Sequence, residues 1–379
     1  MDGVDRFVAD VDLDAVRANV ATLRRCAGSA QVMAVVKADG YGHGMLPCAR
    51  ASVEAGADWL GVAFVEEALA LRAAGVQVPV LAWLVAPGDD VAAAADAGVD
   101  ISVSAAWGLE AAVAAAAATG RPTRVHLKVD SGLGRAGAPM TDWPTLVETA
   151  AKHVADGTLE VAGVWSHLAY ADAPGHPTIT RQIEAFGEAL EVSERAGLRP
   201  QVRHLANSAA TLALPATRFD LVRPGVAVYG LSPGPEVGTA AELGLRPAMR
   251  LTARLALVKQ VPADHGVSYG HRYRTTSPTT LALVPLGYAD GIPRHATNVG
   301  PVQINGKRFT VSGTVCMDQF VVDVGDHPVA AGDEVVLFGP GDDGEPTADE
   351  WAAAIGTINY EIVTRIGARI PRRYLGQGS

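Results

Sequence analysis

The sequence predicts an α/β protein with an N-terminal (β/α)₈ TIM barrel and a C-terminal, mainly antiparallel β domain. Before residue 243, short apolar runs alternate eight times with segments of helical character. After that point the alternation stops and longer β-like runs take over. Repeated strand–helix units favour a closed parallel barrel, for which about 250 residues is usual. We therefore predict a barrel over residues 1–243 and a second domain over residues 244–379.

Each predicted barrel strand is a short apolar run. The eight runs are residues 32–36, 59–64, 78–84, 99–103, 124–129, 161–165, 202–205 and 221–228. The intervening segments have helical composition or apolar residues at 3.6-residue spacing, and the clearest are residues 13–26, 66–74, 107–119 and 179–196. Asp142, which precedes Trp143 and Pro144, indicates the start of a further helix.

The second domain is predicted from β-like runs with no helices between them. These runs are residues 249–261, 279–286, 301–304, 309–315, 320–324 and 334–338. Asn305 and Gly306 separate two of the runs, and this dipeptide is a strong signal for a two-residue hairpin turn. An antiparallel sheet follows from that turn.

Composition narrows the classes of partner and compartment. The chain has 379 residues, a formal charge of −10 and an isoelectric point near 5.5, which argue against nucleic acid or an anionic membrane as a partner. No apolar run approaches the roughly 20 residues of a membrane span. The acidic N-terminus lacks the basic-then-apolar layout of a signal peptide. Three widely spaced cysteines, Cys26, Cys48 and Cys316, suit a reducing environment, so we expect a cytoplasmic protein.

Lys37 is the most informative single residue. It ends an apolar strand and precedes a turn that has three glycines between residues 40 and 44, together with Tyr41 and His43. Burial lowers the pKa of a lysine and makes it a usable amine nucleophile, while glycines let the backbone approach a ligand closely. A lysine that reaches solvent from a strand end is the alternative interpretation for this residue alone.

Further polar residues follow other predicted strands at the same end of the barrel. Active sites of such barrels lie at the carboxyl ends of the strands, and the loops after strands 7 and 8 commonly bind phosphate. Ser208 begins a short helical stretch there, where its hydroxyl and free N–H groups could bind a phosphate. The residues at this rim are Lys37, Lys128, Asp130, Arg135, His167, Asn207, Ser208, Arg223 and Gly225.

One glycine motif is excluded as a dinucleotide site. Residues 132–137 match G-x-G-x-x-G after a strand, but no acidic strand end follows about 20 residues later, because Glu148 lies inside a helical pattern.

Nine stretches together resemble the alanine racemase family of pyridoxal-phosphate enzymes. They span residues 32–374 in order and include both predicted domains. They are AVVKADGYGHG, VDSGLGRAG, WSHLAYAD, HLANSAA, RPGVAVYG, GVSYGHRY, GYADG, VCMDQF and TINYE.

The resemblance implies a cofactor site on the barrel. Lys37 matches the lysine that carries pyridoxal 5′-phosphate, His167 the residue against its ring, and Arg223 the partner of its pyridine nitrogen. Asn207 is also assigned to cofactor binding. The positions that match the phosphate-holding group are Tyr41, Ser208, Gly225, Val226 and Tyr360.

The resemblance also implies shared sites in a head-to-tail homodimer. Tyr269 matches a second catalytic base that, with Met317 and Asp318, reaches the partner subunit's site. Arg135 matches the arginine that contacts the cofactor phenolate and the substrate carboxylate, and Lys128 a lysine often carbamylated to orient that arginine. The access channel is represented by Tyr288 and Arg294, while Thr314 stands where many members have arginine. The implied activity is the interconversion of L-alanine and D-alanine, which supplies peptidoglycan synthesis.

Four alternatives are weighed against this interpretation. A pyridoxal-phosphate decarboxylase of the same barrel class has an acidic residue at the position of Arg223. Broad-specificity racemases are typically exported. Cofactor-carrying barrels without turnover lack the second domain. A metal-dependent hydrolase with a carbamylated lysine requires a His-x-His pair on the first strand, which this sequence does not have. The preferred small amino acid stays open.

Overall fold

The structure is a computed structural model that describes residues 5–376. After strand β1 (Phe7–Asp12), eight strands build a parallel barrel sheet in the order β8-β7-β6-β5-β4-β3-β2-β9. Its edges approach where the Asp220 N–H donates to the Arg203 carbonyl at 3.1 Å. The predicted barrel is confirmed. Its strands are β2 (Gln31–Val35), β3 (Trp59–Val62), β4 (Val80–Ala82), β5 (Asp100–Val103), β6 (Thr123–Lys128), β7 (Leu159–Trp165), β8 (Val202–His204) and β9 (Leu221–Val222).

Helices alternate with these strands close to the predicted positions. Asp142 directly precedes one of them, as expected, although its side chain accepts no bond from the first turn. The helices are α1 (Leu13–Ala27), α2 (Lys37–Tyr41), α3 (Met45–Glu54), α4 (Val65–Ala73), α5 (Val91–Asp96), α6 (Ala106–Thr119), α7 (Trp143–Ala155), α8 (Thr178–Arg195) and α9 (Ser208–Ala213), with a short 3₁₀ helix at Pro215–Thr217. Among the helices described, none is long and apolar enough to cross a bilayer.

The predicted eighth strand, residues 221–228, is too long. Only Leu221–Val222 is a strand, and Val226–Tyr229 forms a 3₁₀ helix. Pro224 explains the break, because it has no N–H to donate to a sheet. Its carbonyl still accepts the Val35 N–H at 3.0 Å, which holds this segment beside β2.

The second domain contains two main sheets. Six strands follow the order β16-β15-β18-β10-β1-β19, and three follow β11-β14-β17. All pairs in these sheets are antiparallel except β1 with β19. The strands are β10 (Met249–Arg254), β11 (Leu257–Val261), β12 (Gly266–Val267), β13 (Tyr273–Arg274), β14 (Thr279–Val284), β15 (Pro301–Ile304), β16 (Lys307–Thr310), β17 (Phe320–Gly325), β18 (Glu334–Phe338) and β19 (Arg372–Leu375).

Helical segments complete this domain after and between the strands. They are α10 (Ala348–Ile355), α11 (Asn359–Thr364) and 3₁₀ helices at Tyr269–His271, Tyr288–Asp290 and Arg294–Ala296. Strand β1, which falls inside the range predicted for the barrel, instead pairs with β10 and β19. The first strand of the chain therefore belongs to the sheet of the second domain.

Two predicted β runs are divided in the structure. Residues 249–261 form two strands in different sheets, because the Leu255 N–H donates to Asp333 and the Ala256 N–H donates to Leu283. Residues 309–315 leave the sheet after Thr310, and only an isolated bridge follows.

The predicted hairpin turn is confirmed. Asn305 and Gly306 have φ values of 46° and 76° and join β15 to β16, with Ile304 opposite Lys307. Positive φ at both turn residues is the geometry that matches the twist of the paired strands.

Two glycine-to-alanine substitutions should shift stability in opposite directions. Gly306→Ala places a side chain at φ 76° and should lower the free energy of unfolding by about 1 kcal/mol. Gly187→Ala lies inside α8, where an added Cβ meets no atom within 4 Å, and should raise it by about 0.5–1 kcal/mol. In calorimetry, Gly306→Ala should unfold at a lower temperature than the wild type and Gly187→Ala at a higher one. A lower temperature for Gly187→Ala contradicts the assignment of that helix.

Candidate active site

A cavity of about 490 Å³ lies at the carboxyl ends of the barrel strands. It brings together every barrel residue that the sequence assigned to cofactor or substrate, and Tyr360 joins them from α11. The lining residues are Val35, Lys37, Ala38, Tyr41, Trp83, Lys128, Arg135, Trp165, His167, Asn207, Ser208, Arg223, Gly225, Val226, Tyr360 and Thr364.

Lys37 begins a turn with unusual backbone geometry. Ala38, Asp39, Gly40 and Tyr41 have φ values of 53°, 51°, 61° and 53°, so four consecutive residues are left-handed. For residues other than glycine this conformation costs roughly 1–2 kcal/mol each. Such strain persists only where the surroundings hold it in place, and it is concentrated at functional sites. The turn places both the Lys37 amine and the Tyr41 phenol in the cavity.

Two carboxylates hold this left-handed turn. Glu67 accepts the Ala38 N–H at 2.7 Å through one oxygen and the Ala63 N–H at 2.8 Å through the other. Asp39 accepts the Met45 N–H at 2.8 Å. The turn is thereby tied to the neighbouring strand β3 and to the start of α3, which fixes the direction in which Lys37 leaves the barrel.

The charged side chains of the cavity are cationic. Burial, and then the charge of Arg135, lowers the pKa of Lys37. Burial lowers the pKa of Lys128 to about 8, with further contributions from Arg223 and Arg135. An amine with a lowered pKa is a better nucleophile near neutral pH. The cavity therefore suits an anionic ligand that carries a group reactive toward an amine.

Arg223 is buried beneath the cavity floor. Nη2 donates to the carbonyls of Ser166 at 2.8 Å and Leu205 at 3.2 Å, and Nη1 contacts His204 Nδ1 at 3.0 Å. Its guanidinium carbon lies 4.7 Å from the centre of the Trp165 ring. Burial lowers the pKa of Arg223 to about 9, which leaves it charged at neutral pH. Within residues 5–376, Arg223 Nε makes no hydrogen bond, so its N–H is available to a ligand.

His167 is neutral in this environment. Burial lowers its pKa well below the ordinary value, and the nearby charge of Arg223 acts in the same direction. Its Nδ1 accepts from Arg223 Nη2 at 3.3 Å. A neutral ring at this position can pack against a planar ligand without adding to the positive charge.

A recess of this cavity, lined by Tyr41, Ser208, Gly225 and Tyr360, lies near the end of β9. The Ser208 hydroxyl accepts the Gly225 N–H at 2.8 Å, and its own hydrogen remains available to donate. A side chain at Gly225 would collide with the Tyr41 hydroxyl at 2.2 Å, so only glycine permits this approach. Burial raises the pKa values of Tyr41 and Tyr360, and both phenols stay protonated as hydrogen-bond donors.

Asn207 acts first on the backbone. Its side-chain oxygen accepts the Ala210 N–H at 3.1 Å, which caps α9 and fixes the position of Ser208.

The glycine motif at residues 132–137, which was excluded as a dinucleotide site, is a local turn. Asp130 accepts N–H groups of residues 132–134, and α7 begins only at Trp143.

Two aromatic residues of the cavity were missed in the sequence, as were Val35, Ala38 and Thr364. Trp83 follows β4, and Trp165 ends β7 with its ring 4.2 Å from Lys128 Nζ. Trp165 is held by a hydrogen bond from its indole N–H to the Ser102 hydroxyl at 2.9 Å. The positions of both tryptophans at the carboxyl ends of strands could have indicated a place in the site. Large apolar rings in apolar runs are, however, equally typical of the barrel core.

Apart from Tyr360, the second-domain residues that the sequence assigned to the site do not line this cavity. Tyr269 and Met317 are 73% and 53% exposed. The segments that carry them are linked to neighbouring loops, since the Thr314 hydroxyl donates to the Tyr269 carbonyl at 2.8 Å and the Ala289 N–H donates to the Met317 carbonyl at 2.9 Å. We use the term second-domain cluster for the exposed predicted site residues of this domain, which are Tyr269, Tyr288, Arg294, Met317 and Asp318.

Comparisons with known proteins agree with this geometry. The family described as "Alanine racemase, N-terminal domain" matches residues 11–233, and "Alanine racemase, C-terminal domain" matches residues 248–374. The alanine racemase of Frankia casuarinae is 67% identical, over 98% of this chain and 96% of its own length.

Solved structures show the same similarity over both domains. The alanine racemase from D-cycloserine producing Streptomyces lavendulae is 57% identical with a TM-score of 0.98, covering 99% of this chain and 98% of that one. The Streptomyces coelicolor enzyme is 58% identical with a TM-score of 0.97, and 98% of each chain is covered. The chain therefore belongs to the alanine racemase family.

Proposed function

We propose that the protein is a pyridoxal 5′-phosphate-dependent isomerase that interconverts L-alanine and D-alanine. The observation that carries this proposal is the convergence of the Lys37 amine, the Arg223 guanidinium and the recess at Ser208 and Gly225 in one cavity, within a chain of this family.

The residues present fit this cofactor. The recess offers the hydroxyl of Ser208 and the protonated phenols of Tyr41 and Tyr360 to a phosphate, and glycine at position 225 permits the close approach of the Tyr41 hydroxyl. Lys37 would hold the cofactor aldehyde covalently, and Arg223 would face its pyridine nitrogen. When bound, the cofactor withdraws electrons from the α-carbon of an amino acid and makes its α-proton acidic.

Arg223 sets the strength of that electron withdrawal. Guanidinium donates hydrogen bonds and holds its own proton, so Arg223 would leave the ring nitrogen of a bound cofactor unprotonated. The weaker withdrawal would favour return of the proton to the α-carbon over transamination. An acidic residue at this position would instead keep the ring nitrogen protonated, as in the decarboxylase alternative. The presence of Arg223 therefore favours racemisation for this chain.

Two proton-transfer groups are needed, one on each face of the α-carbon. Lys37 serves one face from within its own barrel. We assign the other face to Tyr269, which lies on the exposed second-domain cluster. The absence of that tyrosine from the lining of its own chain's cavity supports a role in the cavity of another chain.

Exposed apolar side chains support a homodimer of this arrangement. Phe64, Leu84 and Tyr170 follow the strands β3, β4 and β7 and are 48%, 51% and 43% exposed. Ile358, beside α11, is 57% exposed. Exposed large apolar side chains are typical of association surfaces. Reciprocal contact between the carboxyl end of the barrel and the second-domain cluster would close a two-fold dimer with two complete sites.

Lys128 is proposed to act as a carbamate. At its pKa of about 8, a fraction of the amine is neutral near pH 7 and can attack carbon dioxide, releasing one proton. The resulting anion would lie among Arg223 and Arg135 and orient the latter toward the substrate carboxylate. Supply of D-alanine to peptidoglycan synthesis and a cytoplasmic location stay predictions from the sequence.

The first test concerns the covalent attachment. Native protein should bind pyridoxal 5′-phosphate, and borohydride reduction should attach a pyridoxyl group to Lys37, identified by peptide mass. Lys37→Ala should lose the label and lower kcat by at least about 10²-fold. The surface variant Lys152→Ala is the matched control and should keep both. A label on Lys128 contradicts the assignment of Lys37.

A second test concerns Lys128. Lys128→Ala should lower kcat/KM by about ten- to a hundred-fold, because Arg135 loses a charged hydrogen-bond partner. Added acetate or formate should restore part of the activity of the variant only. In the wild type, activity in carbon dioxide-depleted buffer should fall, and bicarbonate should restore it best above pH 8, where the amine is neutral. Full activity of Lys128→Ala would reduce this residue to a structural role.

Shared sites are tested by subunit mixing. Lys37→Ala and Tyr269→Phe should each be strongly impaired, and mixing them under conditions of subunit exchange should regenerate activity. Random exchange makes half of the dimers mixed, each with one complete site, so about a quarter of wild-type activity is expected.

The control mixes differently tagged Lys37→Ala chains, which form no complete site. Exchange is confirmed by co-purification of the two tags. Absence of recovery despite confirmed exchange would place Tyr269 within the site of its own chain and remove the argument for shared sites.

A further inference from the structure

A line of polar side chains crosses the interior of the barrel. Such interiors are usually filled by branched apolar residues. Here Asp100, His126, His204 and Arg223 are all buried, with exposures of 2%, 0%, 0% and 4%. Asp100 begins β5 near the amino-terminal end of the barrel, whereas Arg223 follows β9 beneath the cavity. The line therefore connects the far end of the barrel to the cavity floor.

Successive members are within hydrogen-bond distance. Arg223 Nη1 lies 3.0 Å from His204 Nδ1, and His204 Nε2 lies 2.8 Å from His126 Nδ1. His126 Nε2 lies 3.2 Å from Asp100 Oδ2. Each histidine thus uses both ring nitrogens in the line. Because the groups follow one another and do not converge, they form no metal-binding cluster within residues 5–376.

The two ends of the line determine the position of every proton. Arginine can only donate, so His204 Nδ1 must accept and the hydrogen of neutral His204 is on Nε2. That hydrogen is donated to His126 Nδ1, which leaves the hydrogen of His126 on Nε2. An ionised carboxylate can only accept, and Asp100 receives this last hydrogen. The two tautomers are therefore set by a donor at one end and an acceptor at the other.

We infer that Asp100 is a positioning residue for Arg223, acting through the tautomers of His126 and His204. Because of this carboxylate, His204 Nδ1 carries no hydrogen and accepts from Arg223 Nη1. That hydrogen bond holds the guanidinium in place and leaves its Nε available to the ligand. This inference deepens the proposed function, since it rests on Arg223 facing the cofactor ring.

The surroundings hold each member of the line in place. Arg124 donates to Asp100 through Nε at 2.9 Å and is itself paired with Glu160. Burial alone would raise the pKa of Asp100, but its bonds to His126 and Arg124 outweigh it and lower that pKa. Asp100 therefore stays an acceptor at neutral pH.

The histidines are equally constrained. The His204 ring is stacked on Trp165 at 5.4 Å and an angle of 6°. Burial, and then the charge of Arg223, keeps the pKa of His204 well below the ordinary value, so this ring is neutral. His126 lies against Gly163, where a Cβ would be 2.2 Å from its Nδ1. The rings cannot rotate to choose other partners.

Removal of the acceptor should reverse the line. Without Asp100, the Nε2 hydrogen of His126 has no acceptor, and only the Arg223 end still opposes the tautomers that carry the hydrogen on Nδ1 of both rings. In those tautomers His204 directs a donor at Arg223, itself a donor, and the guanidinium is displaced from its position. Asp100→Asn retains an acceptor oxygen, whereas Asp100→Leu does not.

The unaltered protein gives the first test. Neutron crystallography of the holoenzyme, and of the same protein after cofactor removal, locates the hydrogens of both rings. The expected result is a hydrogen on Nε2 and none on Nδ1 in His126 and in His204. A hydrogen on Nδ1 of either ring overturns the inference. This reading does not depend on racemisation, so failure of the proposed activity is recognised separately.

The variants give the second test. In Asp100→Leu, the ratio of transamination to racemisation should rise about ten- to a hundred-fold, the effect of losing a charged hydrogen bond at Arg223. Asp100→Asn should stay within about three-fold of the wild type. Asp96→Leu, which breaks the exposed pair with Arg121 on the outside of the barrel, is the matched control and should not change the ratio.

Two outcomes contradict a positioning role. One is an unchanged ratio in a folded Asp100→Leu protein. The other is a ratio in Asp100→Asn as high as in Asp100→Leu, because the acceptor would then not be what matters. If Asp100→Leu does not fold, the wild-type hydrogens and Asp100→Asn decide the question.

Discussion

The left-handed turn after β2 is the constraint on which the site depends. Three residues other than glycine adopt positive φ there, a conformation that the isolated chain disfavours. Glu67 and Asp39 offset this cost with charge-assisted hydrogen bonds to backbone N–H groups. Glu67 also binds the backbone at the end of β3, so the turn cannot relax without disturbing the neighbouring strand. The reactive amine is thereby directed by the barrel itself and not by a flexible loop.

The cavity gathers positive charge around that amine. Lys37, Lys128, Arg135 and Arg223 repel one another, and burial adds to the cost of the charges on Lys37, Lys128 and Arg223. This repulsion favours an anionic ligand, and the phosphate of the proposed cofactor would offset the charge. Arg223 is held by the buried line of His204, His126 and Asp100. These polar contacts explain how a guanidinium is kept in place within the barrel interior.

Both domains contribute to the same cavity within one chain, and the exposed groups suggest a further contribution between chains. Tyr360 reaches the cavity from α11, with its ring 6.2 Å from that of Tyr41. The second-domain cluster lies outside it. A site open to solvent at the barrel mouth and a tyrosine exposed elsewhere are complementary features. Under the proposed function they account for the presence of a second domain in an enzyme whose proposed cofactor residues are nearly all on the barrel.

Periodicity and local turn chemistry were sufficient for most of the fold. The alternation of strands and helices, the start of α7 after Asp142 and the hairpin at Asn305 and Gly306 are properties of neighbouring residues. The confirmed family rests on motifs of the same local kind. The predicted strand bounds were wrong where a strand's end depends on which distant strand it pairs with or on a proline. Pro224 ended β9 early, and the run at residues 249–261 was divided between two sheets because each half pairs with a different distant strand.

The sequence by itself determined which chemical groups the protein has and the end of the barrel at which most of them lie, because the carboxyl ends of parallel strands must share one rim. Only the tertiary structure decided their environment. The pairing of β1 with β10 and β19, the rings of Trp83 and Trp165 in the cavity and the line from Asp100 to Arg223 join residues far apart in the chain. No local pattern encodes such contacts, since burial and hydrogen-bond direction exist only once distant segments have packed together.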